Sequence, residues 1–190
     1  CDLKNRGIEN ILALRGDIPQ GMTIENPEYK YASELTSEIC DFGSFCIGGA
    51  CYPESHPESP DGKSDIESLK IKVDSGCEFL TTQMFFDNEK YFEFVRRARE
   101  MGINIPIIPG IKPIHRMSQI NILPKTFNTD LPGELTAELL RCKSDADAAV
   151  VGYEWCVKQC RELMERGVPN LHFYTINAAD SVYKTLAAIF

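Results

Sequence analysis

The sequence predicts an α/β fold, specifically about five of the eight units of a (β/α)8 TIM barrel, and three observations support this. Five short apolar runs alternate with amphipathic stretches, which indicates parallel strands joined by helices. Polar residues collect where these runs end, as they do at the functional face of barrels. Neither a GxGxxG nor a GxxxxGK[ST] fingerprint occurs, which weakens the alternative of an open, doubly wound nucleotide-binding sheet.

The predicted elements fill the chain from end to end. Strands are expected over residues 10–14, 45–51, 79–86, 105–111 and 171–176. Helices are expected over residues 33–41, 64–75, 88–101, 117–123, 132–141, 145–166 and 179–189. Asp87 or Asn88 can cap one helix start, and Gly76 and Gly102 can end helices.

A complete barrel of this type needs eight strands and about 250 residues. We therefore expect residues 1–190 to form a single partial barrel domain whose N-terminal units are missing. The chain begins at Cys1 without an initiator Met, which is consistent with a fragment. Open sheet edges would then make the isolated chain weakly stable or prone to aggregation.

Composition argues against several classes of function. The net charge is −8 and no basic patch stands out, so a nucleic-acid partner is not expected. No apolar run approaches the roughly 20 residues that span a bilayer. The eight cysteines lie in apolar or helical patterns without a CxxC pair, which favours reduced thiols and a cytoplasmic protein. Cys156 and Cys160 share a helix face and could in principle hold part of a metal site, but buried thiols are the favoured interpretation.

Two strand ends carry paired candidate residues. Arg15 and Asp17 flank Gly16 after the first run; the carboxylate can orient a polar heterocycle and the arginine can hold a phosphate. The alternative is an ion pair in a turn. Tyr52 and His56 lie in a proline-rich loop after the second run, where they can offer a stacking ring and a hydrogen-bonding imidazole. The alternative is an ordinary connector.

The third run and the preceding helix add further candidates. Gln83 lies on a predicted buried strand and needs hydrogen-bond partners, which a pterin-like ring or the protein core could provide. Lys70 and Lys72 suit a solvated helix face, and phosphate binding is the functional alternative. The three histidines are too dispersed along the chain to predict a metal site.

Taken together, six segments resemble the methylenetetrahydrofolate reductases, and they cover essentially the whole chain in order. The segments are NILALRGD at 10–17, YPESHPE at 52–58, KVDSGC at 72–77, TQMFFD at 82–87, IPGIKPI at 108–114 and LHFYTIN at 171–177. In this family they lie on or beside barrel strands four to eight. The resemblance thus implies the same TIM barrel that the pattern predicts.

The resemblance implies a flavin-dependent oxidoreductase of one-carbon and methionine metabolism. Members bind FAD non-covalently and use electrons from NADH or NADPH to convert 5,10-methylenetetrahydrofolate to 5-methyltetrahydrofolate. A homo-oligomer is expected for the full-length protein. Two alternatives remain open: a non-catalytic flavin- or folate-binding barrel, and a reductase that takes electrons from ferredoxin or a partner subunit.

The resemblance also assigns residues to roles. Asp17 would be catalytic, lying near the flavin and the pterin, where it tunes the flavin and helps to stabilise a cationic iminium. Substrate contacts would be Asp17, Gln83 and Leu123. Cofactor contacts would be Arg15, Gly16, Asp17, Tyr31, Ala32, Tyr52, His56, Asp65 and Lys72.

Several positions depart from the family pattern. Ser68 and Ile71 replace polar or basic FAD contacts, which would leave more of the pyrophosphate to Lys72 and Lys70. Ala178 follows Asn177 where many members have arginine, and Cys77 stands where alanine is common. The family's catalytic glutamate belongs to the first strand, which this chain lacks, so the chain alone is expected to be inactive.

Overall fold

Five parallel strands form one sheet in the order in which they occur along the chain. The structure is a computed structural model that describes residues 2–16, 27–43, 45–56, 59, 61–176 and 178–190. The strands are β1 (Asn10–Ala13), β2 (Cys46–Cys51), β3 (Phe79–Met84), β4 (Ile107–Ile111) and β5 (His172–Phe173). Each strand lies beside the next one along the chain, so the strand order never reverses within the sheet. This is the order of a barrel wall, whereas the order of a doubly wound sheet reverses at one point. The α/β class and a five-stranded parallel half-barrel are confirmed, and an eight-unit barrel stays a prediction.

Helices follow the strands as the alternation predicts. They are α1 (Asp2–Asn5), α2 (Ala32–Asp41), α3 (Gly62–Asp74), α4 (Asn88–Glu100), α5 (Gln119–Phe127), α6 (Gly133–Arg141), α7 (Asp145–Glu165) and α8 (Ala179–Ile189). The short α1 has no counterpart in the prediction. Helix α5 runs beyond the predicted end at residue 123, because it continues through Pro124, a residue that normally stops a helix.

The last strand is much shorter than predicted. Residues 171–176 are apolar enough for a strand, but β5 covers only His172–Phe173. Its two residues pair with Gly110 and Ile111 of β4. Within the described residues β5 has this single neighbour, so fewer backbone hydrogen bonds hold its far end in an extended form.

The main core lies between the sheet and its helices. On one face of the sheet, Cys51, Leu80 and Ile111 pack against residues of α3, α4 and α7. The opposite face carries the alternating partners of these residues, because successive side chains on a strand point to opposite sides. On this opposite face the ring of Phe79 covers Gly48, and a Cβ added to Gly48 would lie 2.3 Å from that ring.

Asp87 caps the start of α4, which confirms one of the two residues predicted as the cap. Its carboxylate accepts a hydrogen bond of 3.0 Å from the backbone N–H of Glu89. We expect Asp87→Ala to lower the free energy of unfolding by about 1 kcal/mol, because one helical N–H loses its acceptor. Asp87→Ser is the matched control, since serine is also a good cap; chemical unfolding of both variants measures the difference. Equal stability of the Ala and Ser variants would contradict the capping role.

Candidate functional site

The loop after β2 brings two predicted cofactor contacts together at the carboxyl edge of the sheet. The rings of Tyr52 and His56 meet edge to face, with centroids 4.6 Å apart and planes at 88°. The backbone N–H of His56 donates to the carboxylate of Asp65 near the start of α3. An aromatic ring, an imidazole and a carboxylate therefore lie within one small region.

Lys72 completes this cluster from the other end of α3. Its Nζ donates a 2.7 Å hydrogen bond to the carbonyl oxygen of Ala50, one residue before the end of β2. The path is open because β2 has a glycine at position 49: a Cβ on Gly49 would lie 3.0 Å from Cδ of Lys72. The side chain thus reaches the sheet and does not extend into solvent.

Burial shapes the charges of this cluster. It raises the pKa of the Asp65 carboxyl, an effect partly opposed by the His56 N–H and the charge of Lys72. It also lowers the pKa of Lys72, partly opposed by the nearby Cys51 thiol and Asp65. Asp65 and Lys72 each favour the charged form of the other, against the effect of burial.

The two candidate lysines of α3, Lys70 and Lys72, have different environments in the structure. Lys70 forms an ion pair with Asp74, whose side chain is 60% exposed. It has the solvated helix-face role that spacing favours. The two departures from the family pattern, Ser68 and Ile71, are also exposed, so of the four positions only Lys72 turns toward the strand end.

The end of β1 and the start of α2 hold four more of the predicted contacts. Gly16 has φ of +80°, a conformation that suits glycine in a turn, and Nε of Arg15 donates to its carbonyl oxygen at 3.4 Å. Tyr31 precedes Ala32, the first residue of α2, and its ring is largely exposed. The carboxylate of Glu34 accepts the backbone N–H of Tyr31 at 3.1 Å. Asp17 and Asn177 lie outside the described residues.

Gln83 lies at an irregularity in the sheet. The register of β3 against β4 shifts between Thr81 and Met84, and the hydroxyl of Thr82 accepts the N–H of Gly110 at 2.8 Å in place of a regular ladder bond. Such irregularities turn a side chain in a new direction and are common beside functional sites. The amide oxygen of Gln83 accepts from the N–H of Met84, and no described residue accepts from its amide nitrogen. Gln83 can therefore donate to a ligand.

Helix α7 holds the chain just after β3, a feature that the sequence did not reveal. The indole N–H of Trp155 donates to the carbonyl oxygen of Phe86 at 3.0 Å, and the amide nitrogen of Gln159 donates to that of Phe85 at 2.9 Å. On the other side, the hydroxyl of Tyr174 donates to the carbonyl oxygen of Thr82 at 2.8 Å. These bonds fix the backbone on both sides of Gln83.

Leu123 lies away from these polar groups. It is 2% exposed and packs in a second core cluster with residues such as Phe86, Ile114 and Leu135. A substrate contact for Leu123 stays a prediction that this burial does not support. Ala178, which replaces the family's arginine, precedes α8 and is also buried.

The remaining candidates for metal or membrane chemistry gain no support. The seven cysteines that the structure describes are free thiols, including the buried pair Cys156 and Cys160. Among the described residues, no three His, Cys, Asp or Glu side chains come close enough together to hold a metal ion. None of the described helices combines the length and apolarity needed to cross a membrane.

The fold and site define an α/β half-barrel with its polar groups at the carboxyl ends of parallel strands. The chain belongs to the methylenetetrahydrofolate reductase family, whose model matches residues 1–189. This confirms the resemblance drawn from the six segments.

Relatives from distant organisms agree. The chain is 39% identical over 190 residues to a probable methylenetetrahydrofolate reductase (NADPH) of Caenorhabditis elegans, covering 98% of this chain and 29% of the relative. It is 37% identical over 183 residues to the 5,10-methylenetetrahydrofolate reductase of Escherichia coli K12, covering 96% of this chain and 61% of the relative. It is 37% identical to methylenetetrahydrofolate reductase (NADH) 1 of Arabidopsis thaliana, covering 94% and 33%. The chain thus spans less than two thirds of the length of these relatives.

A solved structure supports the fold. The chain superposes with a TM-score of 0.56 on an uncharacterised protein from Clostridium thermocellum that binds two copies of 5-methyl-5,6,7,8-tetrahydrofolic acid. The match covers 83% of this chain and 57% of that one, at 17% sequence identity. At this identity the likeness concerns the fold alone.

Proposed function

We propose that this protein reduces 5,10-methylenetetrahydrofolate to 5-methyltetrahydrofolate, with electrons from NADH or NADPH that pass through bound FAD. The observation that carries the proposal is the cluster of Tyr52, His56, Asp65 and Lys72 at the carboxyl end of β2. We further propose that residues 1–190 form part of the catalytic barrel of a cytoplasmic homo-oligomer that serves methionine synthesis.

The cluster fits a cofactor such as FAD chemically. Lys72 is a half-buried cation whose burial lowers its pKa, so an anionic group beside it would stabilise its charged form. Asp65 is an acceptor for hydroxyl groups, and the Tyr52–His56 pair offers ring faces and edges. FAD, when bound, supplies the electron transfer between the nicotinamide and the folate.

On the substrate side, we propose that Gln83 donates its amide N–H to the pterin of the folate. Its support is the donor nitrogen that no described residue uses, held in place by the bonds from α7 and Tyr174. Asp17 would add a carboxylate that stabilises positive charge on the folate. Arg15, Gly16, Tyr31 and Ala32 would complete the FAD contacts.

The identity of the electron donor follows from no single residue. Relatives named for NADH and for NADPH match this chain about equally well. A non-catalytic flavin- or folate-binding barrel is not favoured, because these relatives are named as reductases.

The test is flavin uptake and turnover by the complete product of the gene. We expect a visible flavin spectrum, reduction by NADH or NADPH, and formation of 5-methyltetrahydrofolate. Reduced ferredoxin serves as the competing donor. Protein that takes up no FAD on titration would refute the proposal, and flavin that only reduced ferredoxin can reduce would replace the donor.

Lys72→Met tests the cofactor cluster itself. The change keeps the aliphatic packing and removes the cation, so FAD binding should weaken at least tenfold, in line with about 1.5–3 kcal/mol for a hydrogen bond to a charged group. Lys70→Met is the matched control, because it removes the same charge from the solvated ion pair with Asp74. Equal FAD affinity of the two variants would count against Lys72 as a contact.

A further inference from the structure

Glu54 lies between Tyr52 and His56 and joins their loop to two distant segments. Its side chain is 9% exposed, and its carboxylate accepts a 2.6 Å hydrogen bond from Nζ of Lys90 on α4. Its two oxygens also accept the backbone N–H of Asp130, at 3.1 and 3.2 Å, in the connection between α5 and α6. Lys90 forms a second ion pair with Asp130.

Asn128 adds backbone contacts to the same loop. Its amide nitrogen lies 3.4 Å from the carbonyl oxygens of both Glu54 and Ser55. Ser55 has φ of +75° and Asn128 has φ of +52°. Asparagine tolerates this left-handed conformation, whereas serine adopts it at some cost, and such a residue persists only where its surroundings hold it. The loop is thus fixed at Glu54 and at the residue that follows.

The contacts of Glu54 affect the candidate cofactor site because Glu54 lies in the loop that carries Tyr52 and His56. Tyr52 and His56, whose rings are in contact, flank in sequence the two residues that these contacts hold. Burial alone raises the pKa of the Glu54 carboxyl, and the hydrogen bond from Lys90 opposes this. A largely buried carboxylate is costly unless it is paired. Loss of Lys90 would leave the Glu54 carboxylate without its partner charge, and the loop would then be free to move.

We propose that Glu54, Lys90 and Asp130 form a clamp that positions Tyr52 and His56 for the bound flavin. The three are positioning residues, because none of them is among the cofactor contacts. The inference rests on the proposed function, and it adds residues that the family resemblance did not assign. It also links the flavin side of the site to the end of α5 through Asn128.

The two ion pairs of the clamp, Lys90–Glu54 and Lys90–Asp130, should differ in strength. Glu54 is nearly buried, whereas the side chain of Asp130 is 80% exposed, and exposed ion pairs contribute little. Glu54→Gln keeps the shape of the side chain but places an amide where Lys90 needs a charge. We expect it to weaken FAD binding about tenfold, which equals about 1.4 kcal/mol, and to change the visible circular dichroism of the flavin that remains bound.

Control variants separate positioning from stability. Asp74→Asn removes a charge from an exposed pair on α3 and should leave FAD affinity unchanged. Lys90→Met should weaken FAD binding as Glu54→Gln does. The double variant should bind FAD no worse than either single variant, since a neutral pair leaves no buried charge unpaired. Asp130→Asn, at the surface, should fold normally and weaken binding by no more than about threefold.

The experiment titrates the complete apoprotein of each variant with FAD and records the flavin spectrum and thermal unfolding. A loss of thermal stability with wild-type FAD affinity and spectrum would overturn the clamp and leave the proposed function standing. Wild-type protein that binds no FAD would overturn both. If Glu54→Gln does not fold, unchanged FAD binding in Lys90→Met would equally overturn the clamp.

Discussion

Gly152→Ala is expected to lower the free energy of unfolding by about 2–3 kcal/mol, through overpacking at a point where two backbones touch. Gly152 lies inside α7, and a Cβ built on it would lie 2.0 Å from the carbonyl oxygen of Ile114 and 2.9 Å from its Cα. These are backbone atoms, and Ile114 is itself buried in the second core cluster. No side-chain rotation can therefore relieve the contact, so the helix or the segment after β4 must shift.

Helix propensity works against this loss but does not cancel it. Alanine is better than glycine in a helix interior by about 1 kcal/mol, which is smaller than the expected overpacking. Gly133→Ala at the start of α6 is the control, because a Cβ there meets nothing within 4 Å. Urea unfolding of both variants measures the difference. A Gly152→Ala variant as stable as the control would show that α7 and the segment at residue 114 adapt freely.

The same contact bears on function through α7. Trp155 and Gln159 lie on this helix and hold the carbonyl oxygens of the two residues after β3. A shift of α7 would therefore move the backbone beside Gln83. The stability defect should be accompanied by weaker folate binding.

Much of the fold was predictable because the signals are local. Strands and helices are encoded by the apolar pattern, and the caps at Asp87, Gly76 and Gly102 lie where the sequence puts them. The helix through Pro124 and the brevity of β5 were not predictable, because both depend on tertiary neighbours. The preference for a barrel over a doubly wound sheet came from the missing glycine fingerprints and the polar strand ends, and the order of the five strands agrees with it.

The site was predictable mainly through the family resemblance. Periodicity does not show which of Lys70 and Lys72 turns toward the sheet. Lys72 does so because Gly49 leaves space for its side chain beside β2. The clamp joins Glu54 to Lys90 and Lys90 to Asp130 across 36 and 40 positions of sequence, and no local motif records such contacts. A single sequence therefore singled out residues that the structure brings together, such as Tyr52, His56 and Lys72, but not the residues that hold their loop in place.

Asp17→Asn is expected to lower the rate of folate reduction by about 100-fold, the order of magnitude lost when a preorganised electrostatic partner is removed. Asparagine keeps the size of the side chain and its hydrogen-bonding capacity but loses the negative charge. The proposed role of Asp17 is to stabilise positive charge on the folate and to tune the flavin. Loss of that charge should therefore act on turnover far more than on FAD affinity, for which we propose several other contacts.

The two half-reactions discriminate between this role and a structural one. Reduction of the flavin by NADH or NADPH and its reoxidation by 5,10-methylenetetrahydrofolate are measured separately in rapid-mixing experiments. Asp17→Asn should slow the second step most, and Asp74→Asn on the exposed face of α3 should slow neither. If both half-reactions proceed at the wild-type rate, Asp17 serves only the turn after Arg15 and Gly16, which is the alternative that spacing alone favours. The chemistry of the iminium would then need a carboxylate from elsewhere in the barrel.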